Sequence, residues 1–426
     1  MNIPDNATYI NPSQLCVGLY VHLDLGWMDH PFSFSSFKIK NQDQIHTIQQ
    51  LGLQKIRYEQ VKSDGQPLPE TMLEMQPVSI ADPAASLADS EILQEKKARI
   101  EQLNRIKAEI AAVEKKFQAA AESVRNISKN IHTKPQESLR AADELVSLMV
   151  EAMLTEGDVM IHAMNDKLGE DVYFHSLNVT VLSLMLAKTL GMSTEDTHHL
   201  GMGAMFHDIG KTEIPQKILM KTETLTKSEQ TFLELHCEYG VDIAKKVGIS
   251  KRAQEVVMQH HELVDGSGYP LKLVGTKMAP LAKIVSIVNF YDNLCNPVNL
   301  GDALTPYEAL SQMFAFKRGK FEEAPLKAFI RSLGVYPPGS IVQLSNEMLG
   351  LVISVNPSKP LKPNVLVYDP GIPKDEAVIV NLDRDPDLNI TKNLRAAQLP
   401  REVYQYLSPR KRTTYYFDPQ QSGDAQ

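Results

Sequence analysis

Five of the chain's twelve histidines stand close to acids or a lysine within one stretch of the sequence. In DVYFH, Asp171 and His175 are four residues apart, a spacing that puts both on one face of a helix. FHDIGK sets His207 beside Asp208 and follows them with Lys211, whose position three and four residues on stacks its ammonium above both. ELHCEYG adds His236, HHELVDGSGYP adds the vicinal pair His260 and His261 with Asp265 close behind, and FYDNL supplies Asp292. Consecutive side chains on a helix point about 100° apart, so two adjacent imidazoles cannot share one apolar partner. A metal, an anion or a partner protein are the candidates for what they face.

Neutral imidazole and carboxylate together suit manganese or ferrous iron, and without thiolates the set is not a structural zinc site. An aspartate flanked by histidines from different helices can bridge two ions, and water activated between such ions attacks at neutral pH. Metal-assisted phosphoester hydrolysis is the reaction this set performs best. Asp208 is then the bridge, and Lys211 holds a non-bridging phosphate oxygen as charge builds. A lone His-Asp pair is more often a helix-surface hydrogen bond than a ligand pair. His22, His30, His46, His162, His198 and His199 are read in that ordinary class. The weight lies on HDxGK, an isolated histidine, HHE and DGxGYP occurring in one helical stretch.

The elements that must position these groups are legible from periodicity. SLRAADELVSLMVEAML, YFHSLNVTVLSLMLAKTLG, EDTHHLGMGAMFHDIG, TKSEQTFLELHCEYGVDIAKKVG and SKRAQEVVMQHHE each carry apolar residues at helical spacing and end at glycine or a polar break. They predict a helical bundle over residues 134–338. Upstream, residues 1–64 alternate in LCVGLYVHLDL, FSFSSFKIK and KIRYEQV around one short helix near Asp43 to Leu51, a small α+β module. Residues 65–133 hold a Pro-rich linker, running to about Ala88, and a long helix. On that helix Leu103, Ile106, Ile110, Val113, Phe117, Ala120, Val124, Ile127 and Ile131 form a heptad seam, which either pairs with a second copy in a homodimer or packs on its own domain. Over residues 339–415 the strand pattern returns in SIVQLSN, LGLVISVN, NVLVYDP and AVIVNLD, and residues 416–426 are expected to be a disordered tail.

Length bounds the chain at two or three domains with ample core. A net charge of −8 argues against a nucleic-acid or membrane-surface coat. Cys16, Cys237 and Cys295 lie far apart with no CxxC spacing, and no leader or membrane-length apolar run is evident, so a cytoplasmic protein is expected.

The motif set from about Asp171 to Leu310 resembles the HD-GYP family, a branch of the HD superfamily of metal-dependent phosphohydrolases. The resemblance implies a mainly α, helical-bundle HD-type catalytic domain. LCVGLYVHLDLGWMDHPFSFSSFKI looks like the small module of unknown function that often precedes it, and GSIVQLSNEMLGLVISVN like its usual β extension. It further implies two or three iron or manganese ions and the opening of cyclic di-GMP to the linear dinucleotide or GMP. His175, His207, Asp208, His236, His260 and His261 match metal ligands, and Lys211 matches the phosphate-binding lysine. Asp171 stands where some members carry a glutamate that supports a third metal. Asp265, Gly268, Tyr269 and Pro270 form the substrate-side loop, which also offers a surface to a diguanylate-cyclase-type domain.

Two departures separate the chain from the family pattern. Where the family has ADxYDAL, with its first aspartate a ligand, KIVSIVNFYDNL places Asn289. An amide carbonyl can ligate but brings no charge. The Arg-Pro-Tyr segment that commonly follows is replaced by CNPVNLGDALTPYEA, which leaves both cyclic di-GMP and 3'3'-cyclic GMP-AMP as substrates. A cyclic-dinucleotide phosphodiesterase is the leading reading. A metal-bound receptor that turns over slowly or not at all is the second, favoured by Asn289 alone, and a phosphohydrolase of mononucleotides or alarmones is the third.

Overall fold

A computed structural model describes residues 8–25, 30–32, 35–69, 83–154, 159–163, 173–316, 318–372, 374, 377–385, 388–408 and 413–419. The amino-terminal module contains β1 (Thr8–Ile10), β2 (Tyr20–His22), β3 (Ser36–Lys38), α1 (Gln42–Gln50) and β4 (Ile56–Tyr58). Its strands pair antiparallel in the order β1-β4-β2-β3. Asn41 caps α1 by accepting from the Gln44 N–H, and the apolar face of that helix sets Ile45 and Ile48 against Leu19, Val21 and Ile56. The α+β reading of this region therefore holds.

Helix α2 (Pro83–Asn130) begins earlier than expected: residues 83–88, read as linker, are already helical, and residues 70–82 lie outside the described set. Proline is compatible with a first helical turn because its missing N–H is unpaired there in any case. The seam on α2 also has a different partner from a second copy. Val113, Phe117, Ala120, Val124, Ile127 and Ile131 are buried in the chain's own main core, against α3 (Pro135–Leu154) and α4 (Tyr173–Thr189). That part of the stripe is unavailable for self-pairing. Ile106 and Ile110 stay half-buried, and the side chain of Leu103 is outside the described residues.

The bundle continues through α5 (Thr194–Phe206), α6 (Gln216–Leu219), α7 (Lys227–Glu234), α8 (His236–Val247), α9 (Lys251–Gln259), α10 (Pro280–Cys295), α11 (Pro306–Phe316) and α12 (Glu323–Leu333). Helices α4 and α10 are apolar nearly all round and are correspondingly buried, with α5 and α9 packed beside them. Local signals fix the ends. Ser193 and Ser250 cap α5 and α9, Thr226 and Glu229 form a capping box on α7, and Gly248 ends α8 in the left-handed region at φ 93°.

The final region holds β6 (Ile341–Leu344), β7 (Leu349–Val355), β8 (Asn364–Val367), β9 (Val378–Asn381), β10 (Ile390–Leu394), α13 (Arg401–Leu407) and β11 (Tyr415–Pro419). One strand of its sheet comes from inside the bundle: β5 (Val159–Ala163), between α3 and α4, pairs with β7 on one side and β11 on the other. This stretch falls within the span whose pattern predicts a helical bundle, and VMIHA is a short apolar run whose periodicity cannot tell helix from strand. Residues 416–419, expected to be disordered, continue β11 in a five-residue register with β5, while residues 420–426 lie outside the described set. Among the described residues, no helix is long and apolar enough to cross a membrane.

Candidate metal centre

His175 lies in the first turn of α4, and His207 caps the end of α5. Asp208 follows at the entry to a 3-10 turn, Ile209–Glu213, which carries Lys211. His236 opens α8, while His260 caps α9 with His261 next to it. Four helices and the 3-10 turn therefore converge, and small residues let them approach. At Gly210 a Cβ would lie 1.9 Å from the His236 carbonyl oxygen, so only glycine lets the turn after Asp208 press on the start of α8.

The carboxylate of Asp208, 8% exposed, divides the cluster. Its Oδ2 faces His175 Nε2 at 3.4 Å and His207 Nε2 at 3.3 Å, and its Oδ1 faces His236 Nε2 at 3.4 Å and His260 Nε2 at 3.6 Å. Two groups of donors result, with atoms all within 4.8 Å of one another in each: His175, His207 and Asp208, and Asp208, His236, His260 and His261. Lys211 Nζ approaches Asp208 Oδ2 at 2.6 Å.

The tautomers follow from the other ring nitrogens. Nδ1 of His207, His236 and His260 sits 2.6, 2.6 and 2.8 Å from the carbonyl oxygens of Ala204, Leu233 and Val257, so each Nδ1 carries the proton and donates. The Nε2 lone pairs are left pointing inward. His236 Nε2 and His260 Nε2 are 3.2 Å apart, a distance at which two lone pairs repel without a cation between them. Asp208 Oδ1 and His261 Nε2 are buried with no hydrogen-bond partner. Orphaned donor atoms of this kind are what a metal site requires of its protein, and nitrogen with carboxylate oxygen suits a divalent ion such as iron or manganese.

Electrostatics distinguish the groups. Burial pushes His260 down to about 3, with the neighbouring imidazoles adding to it. Burial, with His260 and His236 adding to it, holds His261 well below its ordinary value, and burial lowers His236. His175 goes the other way: burial lowers it, but Asp292 and Asp208 outweigh that and push it up to about 9. Burial would raise the Asp208 carboxyl, yet Lys211 and the imidazoles hold it well below the carboxylate range.

The loop after His261 is built around Glu262. This fully buried carboxylate accepts the backbone N–H of Leu271 at 2.6 Å and of Leu273 at 2.9 Å, so it orients the loop. Tyr269 stacks on His261 with ring centroids 4.4 Å apart at 20°, and its peptide bond to Pro270 is cis. Two residues expected to contact substrate do other work. Gly268 is buried, and a Cβ there would lie 2.4 Å from the Leu263 nitrogen, so it closes the loop on its own backbone. Asp265 is exposed and directs its carboxylate to Ser267 and Lys320, 2.6 Å and 3.6 Å away, which shapes a turn.

Asn289 is buried on α10, and its Oδ1 accepts from Asn293 Nδ2 at 2.8 Å. One turn later Asp292 places Oδ2 2.5 Å from His175 Nδ1, a role the sequence reading did not give it. Asp171 lies outside the described residues. Of the ordinary histidines, His22 meets Ser36, His30 meets Ser35, His198 meets Asp143 and His199 meets Ser250, all away from the cluster.

A helical bundle that gathers histidine and aspartate donors into two adjoining groups is the arrangement of an HD-type hydrolase domain, and its donor set could hold metal ions. Residues 143–323 match the family model described as HD domain, and residues 8–142 match the domain of unknown function DUF3391. The chain is therefore similar to an HD domain over its bundle and to DUF3391 over the region before it. It is 26% identical over 364 residues to the cyclic di-GMP phosphodiesterase PA4108 of Pseudomonas aeruginosa, an alignment covering 84% of each chain. It is also 32% identical to the cyclic di-GMP phosphodiesterase response regulator RpfG of Xanthomonas campestris over 34% of this chain and 39% of that protein. A 3'3'-cGAMP-specific phosphodiesterase 2 of Vibrio cholerae is 29% identical over 42% of this chain and 35% of its own length.

Proposed function

We propose that this chain is a metal-dependent phosphodiesterase that hydrolyses a cyclic dinucleotide at a centre of two ions. His175, His207 and Asp208 would hold one ion, and Asp208, His236, His260 and His261 the other. The observation that carries this reading is the placement of Asp208 between two sets of imidazole donors, one carboxylate oxygen toward each. Bound there, iron or manganese would acidify water and polarise a phosphoryl oxygen.

The remaining work falls to the chain's own groups. Lys211, 2.6 Å from Asp208 Oδ2, is close enough to pair with a non-bridging phosphate oxygen in the same site and to neutralise charge as phosphorus becomes five-coordinate. Tyr269 covers His261 and keeps water from that side of the centre. Glu262 fixes the loop that presents Tyr269 and Pro270. We infer cyclic di-GMP as the substrate, because the relative aligned over most of this chain is named for that activity.

The test is turnover of cyclic di-GMP and 3'3'-cGAMP by manganese- or iron-loaded protein. Hydrolysis of cyclic di-GMP in preference to 3'3'-cGAMP is expected. Preference for 3'3'-cGAMP would overturn the substrate alone. Tight binding of either compound without hydrolysis would overturn the enzyme reading in favour of a receptor, which the uncharged Asn289, one turn before Asp292 on α10, favours.

A further inference from the structure

His175 is held differently from the other oriented imidazoles of the centre. His207, His236 and His260 each donate to a carbonyl three residues back on their own segment, whereas His175 Nδ1 meets Asp292 on another helix. Asp292 is buried, and its Oδ1 accepts from two amides, Asn178 Nδ2 and, at 2.9 Å, Asn296 Nδ2. Asn178 stands one turn after His175 on α4, and Asn296 caps the end of α10.

Both amides also reach the same piece of backbone, just before and within β11. Asn296 donates to the Thr413 carbonyl at 2.8 Å and accepts from the Thr413 N–H at 2.7 Å, pairing with that peptide as an adjacent strand would. Asn178 donates to the Thr413 carbonyl at 3.3 Å, and its Oδ1 accepts from the Tyr415 N–H at 2.7 Å. Removing the strand would leave the buried Asn178 amide and the half-buried Asn296 amide, both of which hold Asp292, short of partners, and such networks lose their geometry when half satisfied. Helix α2 touches the same assembly: Phe117 packs edge-on against Tyr416 at 5.8 Å and stacks on Phe174, the neighbour of His175, at 5.5 Å.

We propose that residues 413–417 are a carboxy-terminal clamp that positions His175 through Asn178, Asn296 and Asp292, so that the His175 side of the centre is complete only when this strand is docked. Asn178 and Asn296 are positioning residues, and the inference rests on the two-ion reading of the centre given above. A partner that holds an imidazole ligand indirectly typically contributes about 10–100-fold to metal affinity.

The experiment is manganese titration of the full chain, read by elemental analysis and by electron paramagnetic resonance. Wild-type protein is expected to bind two ions with the spectrum of a spin-coupled pair. Asn178→Ala and Asn296→Ala are expected to keep one ion near wild-type affinity, to weaken the other by about tenfold or more, and to show an isolated-ion spectrum. Tyr291→Phe, which deletes the 2.7 Å bond from Tyr291 to the Tyr415 hydroxyl in the same buried region, is expected to keep the coupled pair. Should the asparagine variants fail to fold, Thr413→Pro removes the donor to Asn296 from outside the bundle and is read in their place. Wild-type protein that binds no metal would overturn the centre itself. Two ions at unchanged affinity in the variants, or equal weakening of both ions, would overturn the clamp and leave the centre standing.

Discussion

The two sides of the histidine cluster share Asp208 and differ in one member: His207 is oriented by a local carbonyl like the imidazoles of the other side, whereas its companion His175 is held from another helix. On one side, His236 and His260 come from successive helices, take their orientation from carbonyls three residues back, and lie buried. With His261 they form a neutral set whose protons are pushed off by burial. On the other side, His175 depends on Asp292 from α10, which is 117 residues away, and holds its proton up to about pH 9. A site built from local contacts arrives preset for a cation. A site built from distant ones binds a cation only by displacing a proton and only if remote elements are docked.

Asp208→Ala attacks the group both sides share and should have the largest effect. Metal content is expected to fall below one ion per chain, and hydrolysis by on the order of 10³-fold or more, since both charge and bridge are lost. Elemental analysis alongside the turnover assay checks this; full activity in a fully metallated variant would place the site elsewhere. Lys211→Met leaves every imidazole in place. It should keep both ions while lowering kcat by roughly 10²-fold, the usual cost of one transition-state donor, and a loss of metal in parallel would make the lysine structural.

Acid and alkali should separate the two sides in metal-free protein. An unfolded imidazole titrates near about 6.5, whereas folded His260 is held down to about 3. As the pH drops below about 6.5 the unfolded chain gains a proton that the folded one refuses, so the stability contributed by that residue falls with pH. His175 has the reverse sign. Its folded value of about 9 lies above the unfolded one, so its contribution is fully present below about pH 6.5 and is lost as the pH rises through 9. Urea unfolding at pH 5, 7 and 9.5 should therefore peak near neutrality. His260→Gln should flatten the acid limb and His175→Gln the alkaline one; limbs that keep their slopes in these variants would refute the assignment.

The same contrast decides what could be read from sequence. The donors themselves were legible, because imidazoles gathered among acids on successive helices have few other uses, and the structure brings His175, His207, Asp208, His236, His260 and His261 together. What holds His175 was not. Asn178 meets Tyr415 across 237 residues, and the one available signal was a lone asparagine inside the apolar run SLNVTVLSLML. The helical stripe on α2 was visible as periodicity, but periodicity does not say which surface covers it. In the DGSGYP loop, residue types draw attention to Asp265 and Gly268 as substrate contacts, whereas Asp265 holds a turn through Ser267 and Lys320 and Gly268 lets the loop close on its own backbone.

Asn289 offers the finest test of the contrast. It lies three residues before Asp292 on α10, so both side chains leave one face of the helix, and Asp292 already touches His175. An aspartate at this position would add a negative charge one turn from Asp292, the residue that holds His175, while its oxygens could still accept from Asn293, as Asn289 Oδ1 does now. Asn289→Asp should tighten the more weakly held ion by about tenfold, the effect of one added anionic oxygen ligand near a hard dication, and leave the more tightly held ion unchanged. Manganese titration resolves the two constants. If neither moves, residue 289 is not part of the centre; if both move together, the two sides are not independent, and the division at Asp208 is one of geometry without consequence for binding.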